Sequence, residues 1–143
     1  MSNTWVVVAE SSRARIFEMH EPGHQFAELA DLVHPESRLK DSDRLSDSPG
    51  RTFNSQGRGK HTMSPQTESR RHEGQVFASE IAHRLEAGRT AGKYEALILA
   101  APPEFLGLVR AALSQETTGL VSKTVNKNIV RLRPDEIQEH LAL

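Results

Sequence analysis

The chain has 143 residues, 36% of them hydrophobic, with 18 Lys/Arg against 19 Asp/Glu and no cysteine. That length suits one domain over 1–143 with a single core. The near-zero charge balance excludes a global pull toward nucleic acid or acidic lipid, and the missing cysteine excludes disulfides and thiolate metal sites. No stretch approaches the ~20 apolar residues that span a bilayer. The opening, Met1 to Glu10, lacks the basic region and long apolar run of a signal peptide. A cytoplasmic protein with no membrane partner is expected.

Trp5-Val-Val-Val-Ala9 reads as a first strand, with Trp5 as a packing residue at the sheet edge. Glu10 to Arg13 is polar and turn-like, which accounts for Ser11 and Ser12 without a catalytic triad. Ala14 to Met19 reads as a second strand, with Ala14, Ile16 and Glu18 on one face and Arg15, Phe17 and Met19 on the other. After the Pro22-Gly23 turn signal, Phe26 to Val33 reads as a third strand. In it Phe26, Glu28, Ala30 and Leu32 alternate with Ala27, Leu29, Asp31 and Val33. Short turns between the three make an antiparallel meander.

Residues 34–72 differ from the rest, because Leu39, Leu45, Phe53 and Met63 are their only large apolar anchors. The stretch reads as one long polar loop, with a short helical turn near 36–45. It holds eight Lys/Arg against five Asp/Glu, while the remaining residues hold ten against fourteen. Its second half, 51–72, carries Arg51, Arg58, Lys60, Arg70 and Arg71 against the single acid Glu68. A connection this much longer than the usual ~4–6 residues is functional or unstructured.

Glu73 to Gly88 reads as an amphipathic helix with Phe77, Ile81 and Leu85 on its buried face and Gly88 as its stop. Ala96 to Ala101 is an unbroken apolar run, the pattern of a central strand covered on both faces. Pro102 and Pro103 end it and open a helix whose Phe105, Leu106, Val109 and Leu113 share a face. Leu120 to Val125 is a short strand, Asn126 to Asn128 a turn, and Pro134 to Leu143 a terminal helix with Ile137 and Leu141 turned inward. The order βββ-α-β-α-β-α describes an α/β fold with one mixed sheet flanked by helices.

That order is similar to the ribonuclease H-like arrangement. The chain also resembles the bacterial host attachment family, proteins required for attachment to host cells. The residues that carry the likeness are Trp5 to Glu10 with Ala14 to Phe17, Pro49 to Arg51, Tyr94 to Pro103 with Phe105 to Leu108, and Lys127-Asn128. The family in turn resembles the middle domain of archaeal and eukaryotic class I peptide release factors. There a basic loop after the third strand carries Gly-Gly-Gln to the peptidyl transferase centre. The matching place here reads Ser55-Gln-Gly-Arg-Gly-Lys-His61, with Gln56 before the glycines and no Gly-Gly-Gln triplet. The resemblance implies a binding protein associated with RNA or the ribosome and with translation, or a host-interaction factor acting indirectly from the cytoplasm. Release-type ester hydrolysis lacks its triplet.

The candidate contact residues are Arg51, Gln56, Gly57, Arg58, Gly59, Lys60, His61, Arg70 and Arg71. Glycine lets backbone approach a ligand closely, and the cations suit phosphate. The stretch is no P-loop, since Gly-Lys-Ser/Thr is missing. Seven histidines occur, but only His20 and His24 are four apart, across a turn, so exposed histidines rather than a metal site are expected. Phosphodiester cleavage would need the strand-end acids Glu10, Glu28 or Asp31, and Glu104 to converge on metal. Neither a cofactor nor a metal is expected, and the sequence sets no oligomeric state.

Overall fold

A computed structural model describes residues 3–20, 25–35 and 65–143. Within these, five strands form one sheet: β1 (Thr4–Glu10), β2 (Arg13–Met19), β3 (Ala27–Val33), β4 (Ala96–Ala100) and β5 (Val121–Val125). Their order is β3-β2-β1-β4-β5. β2 pairs antiparallel with β1 and β3, whereas β4 runs parallel to both β1 and β5. The described helices are α1 (Pro65–Thr90), α2 (Pro103–Ala112), the single turn α3 (Gln115–Thr118) and α4 (Pro134–His140). An antiparallel meander extended on its other side by parallel strands is a ribonuclease H-like α/β fold.

Two apolar layers sandwich the sheet. On one face Val7, Ala9, Ala14, Ile16, Leu97 and Leu99 meet Phe77, Ile81 and Leu85 of α1 and Phe105 and Val109 of α2. On the other, Val6, Val8, Phe17, Ile98 and Ala100 meet Ile129, Ile137 and Leu141. With side chains buried on both faces, β1 and β4 read as continuous apolar runs. β1 holds the centre and β4 lies next to it. Trp5 is therefore not at the sheet edge: it sits on the central strand, 9% exposed, with its ring 4.8 Å from that of Tyr94.

Arg15 ties the two halves of the chain together. It is 7% exposed, and its guanidinium donates to both carboxylate oxygens of Glu28, at 3.0 and 3.1 Å. Nη1 also donates to the carbonyls of Val130 (2.8 Å) and Leu132 (2.7 Å). A buried cation survives only when paired and hydrogen-bonded, and this one is held by the meander and the C-terminal segment at once.

Three boundaries differ from the periodicity. Residues 65–72 are helical rather than loop, and α1 runs 26 residues. Its first two turns carry no apolar stripe, and among the described residues they add nothing to either core layer. Good helix formers such as Gln66, Glu68, Arg70 and Arg71 extend a helix already nucleated by the packed turns behind them. Gly88 does not stop α1. The helix ends at Gly92, whose φ of 69° is the left-handed conformation glycine tolerates, with Lys93 N–H bonding to the Gly88 carbonyl at 2.9 Å. In β3, Ile16 pairs with Ala30 but Phe17 with Glu28, leaving Leu29 as an extra bulged residue. The bulge reverses the alternation: Ala30 and Leu32 pack on the α1 side, while Phe26 packs on the opposite face.

α3 is fixed from outside itself. Ser114 caps it by accepting from Thr117 N–H (3.1 Å), and Oγ of both Ser114 and Thr117 donates to Glu86 Oε1 at 2.7 Å. Arg89 pairs with Glu86 Oε2. The Arg89 contact first, then Thr117 and Ser114, lowers the Glu86 pKa from 4.5 to about 2. A depressed carboxyl pKa contributes stability above the unfolded value and loses it as pH falls through the folded value. The melting temperature of the wild type should therefore fall more steeply between pH 4.5 and about 2 than that of Glu86→Gln. Parallel slopes in acid melting curves would show that the network does not hold the carboxylate ionised.

Candidate functional site at the carboxyl end of the sheet

Strand order reverses between β1 and β4: the chain winds outward from β1 to β3, then restarts at β4 on the other side. Sites in open α/β sheets favour the crevice outside the strand ends at such a point. Here it is formed by Glu10 at the end of β1, the Ser11-Ser12 turn, Ala101 to Glu104 entering α2, and residues 126–131. Ala101 N–H bonds to the Val125 carbonyl at 3.1 Å, which brings the ends of β4 and β5 together.

His34, directly after β3, organises this end. Its backbone N–H donates to the Ser12 carbonyl at 2.9 Å. Its ring is 6% exposed and stacks on Phe77 at 5.2 Å, and Phe77 stacks on Phe105 at 5.9 Å. Nε2 lies 3.0 Å from Glu73 Oε1, and Nδ1 lies 3.8 Å from Glu80 Oε1. His34 is thus a buried, partnered side chain and not the exposed histidine its polar surroundings in the sequence imply. Glu73 supplies the acceptor that lets an imidazole sit in an apolar stack. No local pattern announces a pair 39 residues apart; only the flagged core positions Phe77 and Phe105 hinted at where it would lie. His20, His72, His83 and His140 are exposed.

The contact pins His34, one residue past the meander, to the third turn of α1. In sequence, residues 36–64 lie between Pro35, next to His34, and Pro65, which opens α1 two turns ahead of Glu73. Of the candidate contact residues, Arg51, Gln56, Gly57, Arg58, Gly59, Lys60 and His61 lie outside the described residues. Arg70 and Arg71 stand on α1, exposed, a few residues ahead of Glu73.

The strand-end acids have other work. Asp31 takes a bidentate bond from Arg13 at 3.0 and 2.8 Å, a contact that holds its carboxyl below the usual range. Glu28 takes the equivalent fork from Arg15. Glu10 accepts from Ser12 Oγ at 2.6 Å and faces Arg131 at 3.9 Å, so Ser12 donates to a carboxylate and not to a histidine. Glu104 is exposed in the first turn of α2. Among the described residues no three His, Asp or Glu side chains are grouped to hold a metal ion. The arrangement at this end offers a rigid mount, with exposed Lys127 and Arg131 beside it, rather than a convergent acid cluster. Among the described residues no helix is long and apolar enough to cross a membrane.

A comparison with curated proteins finds no match. Among solved structures, the archaeal translation termination factor aRF1 is similar at 12% identity and a TM-score of 0.49, covering 91% of this chain and 32% of that one. A second structure, titled "Archaeal protein", is similar at 13% identity and a TM-score of 0.45, covering 87% of this chain and 30% of that one. The chain thus spans about a third of the length of these structures. Residues 5–141 match the family described as "Protein required for attachment to host cells". With nearly its whole length matched, the chain belongs to that host attachment family.

Proposed function

We propose that the protein is a non-catalytic binding module that engages RNA through the basic stretch 51–72. Arg51, Arg58, Lys60, Arg70 and Arg71 would contact phosphates, and Gln56, Gly57, Gly59 and His61 would bring the backbone close to them. The observation that carries this reading is the charge imbalance of the stretch combined with the His34–Glu73 contact. Five cations stand against one acid over 51–72, and the helix that carries Arg70 and Arg71 is anchored at Glu73 to His34, beside the carboxyl end of the sheet. Exposed Arg71 extends that charge onto the rigid helix. The test is sedimentation of purified protein with ribosomes, and with protein-free ribosomal RNA, across a salt series. Binding should weaken linearly in log–log form, and an Arg58→Ala/Lys60→Ala variant should lower the slope by about one per lost phosphate contact. Absence of wild-type binding at low salt sinks the proposal.

Family membership favours a second reading, a factor in attachment to host cells that acts from inside the producing cell. Labelling of intact cells with antibody against the protein separates the two. Surface exposure would replace the RNA reading with direct display.

A further inference from the structure

The outer edge of β3 and the flank of α1 beside it form a second surface among the described residues. β3 is the last strand of the sheet on its side among the described residues. No hydrogen bond engages its outward backbone groups there. Edge strands are ordinarily blunted by lysine, proline, an inward-pointing charge or a bulge. β3 contains neither residue, and its two acids are neutralised from within by Arg13 and Arg15. The exposed large hydrophobic side chains of the described residues, Leu29 (45%) and Val33 (55%), both lie on this strand. The bulge at Leu29 interrupts the edge and leaves Ala30 to Val33 as its regular part.

Beside that edge runs an open groove of about 760 Å³ between β3 and α1, with Leu32, Val76 and Ala87 as its apolar lining. Glu80 stands toward the His34 end, and His83 and Arg84 line the groove about one turn further along α1. Among the described residues, neither the His83 nor the Arg84 side chain makes a hydrogen bond or ion pair. An unpaired sheet edge flanked by a helix across an apolar groove is the geometry that accepts an added strand. Main-chain bonds then supply affinity, and alternate side chains entering the groove supply selectivity.

We propose that this surface binds an extended segment of a partner protein, added antiparallel or parallel to Ala30–Val33, with apolar residues at alternate positions and a carboxylate at Arg84. The carboxylate distinguishes such a partner from a second copy of this chain. A second β3 has Ala30 and Leu32 packed on its own core and its Glu28 and Asp31 held by arginines, so it offers Arg84 no free carboxylate. The surface is separate from the RNA reading, and Arg84 is no part of the basic stretch.

The probe is a short synthetic peptide alternating valine with threonine and carrying glutamate at one end, compared with the same peptide carrying lysine. Fluorescence anisotropy should show the glutamate peptide binding more tightly. Arg84→Glu, at an exposed helix position where the fold is checked by circular dichroism, should reverse the preference by about threefold to fivefold. Amide exchange of Ala30 to Val33 should slow on binding. Three results would each overturn the proposal: neither peptide binds, Arg84→Glu leaves the preference unchanged, or sedimentation shows self-association that protects the same amides without peptide.

Discussion

Arg15→Met should destabilise the protein by about 3 kcal/mol and lower its melting temperature by roughly 10 °C. Methionine fills the volume but donates nothing. The carbonyls of Val130 and Leu132 then lose their donor inside the fold, and Glu28 loses both arms of its fork. Removing one partner of a buried charged network leaves the others desolvated and unpaired, which is why the cost exceeds that of a single hydrogen bond. The stack of the guanidinium over Phe17, 5.0 Å from the ring centre, is lost as well. Arg13→Met is the control. Arg13 makes the same bidentate fork, to Asp31, but its side chain is 31% exposed. Water re-solvates both partners there, so the expected loss is below about 1 kcal/mol. Urea denaturation of both variants measures the difference. Equal losses would mean that Arg15 is held by its carboxylate alone.

The second large effect comes from glycine, with opposite signs at two positions. A Cβ at Gly88 would lie 2.5 Å from Trp5 Cη2 and 2.7 Å from Cζ3. The indole cannot step aside: it packs against the tilted ring of Tyr94, and its N–H donates to Glu18 at 3.3 Å. Tyr94 is itself fixed by its hydroxyl bond to the Leu85 carbonyl at 2.6 Å. Gly88→Ala should therefore lose about 2 kcal/mol through overpacking, even though alanine favours the helix by ~1 kcal/mol. At Gly107, inside α2, a Cβ meets nothing within 4 Å. Gly107→Ala should gain about 0.5–1 kcal/mol, the propensity term alone. Melting curves of the two single variants suffice as the test, and a stabilised Gly88→Ala would show that Trp5 has room to move.

These positions also mark what could be read from the chain directly. β1, β2 and β4 were legible because each buries two faces or alternates cleanly, and α2 because Phe105, Leu106 and Val109 recur at helical spacing. The order of elements, and with it the fold class, followed from those patterns. The bulge at Leu29 was not legible, since alternation over 26–33 looks unbroken until the partner strand is known. Gly88 and Gly92 are two glycines near one helix end, and only packing against Trp5 reveals which of them terminates it. α3 is four residues long and depends on Glu86, 28 residues before its cap. Of the candidate site, Arg70 and Arg71 were expected on a loop and stand on a helix. Their turns are polar on all sides, and a helix without a buried stripe leaves no period to detect. The buried His34 was hidden for a related reason: its partner is brought to it by tertiary structure alone.

The reach of Arg15 has a consequence for synthesis. Its acceptor at Leu132 is 117 residues downstream. At ~5–20 residues per second, a ribosome needs roughly 6 to 23 seconds to deliver it. Through that interval the nascent meander holds a cation that must stay hydrated, so the layer it belongs to cannot close over it. The meander therefore waits, open, until Val130 and Leu132 have left the exit tunnel, and the burial of Arg15 is a late event of synthesis although its own residue is made early.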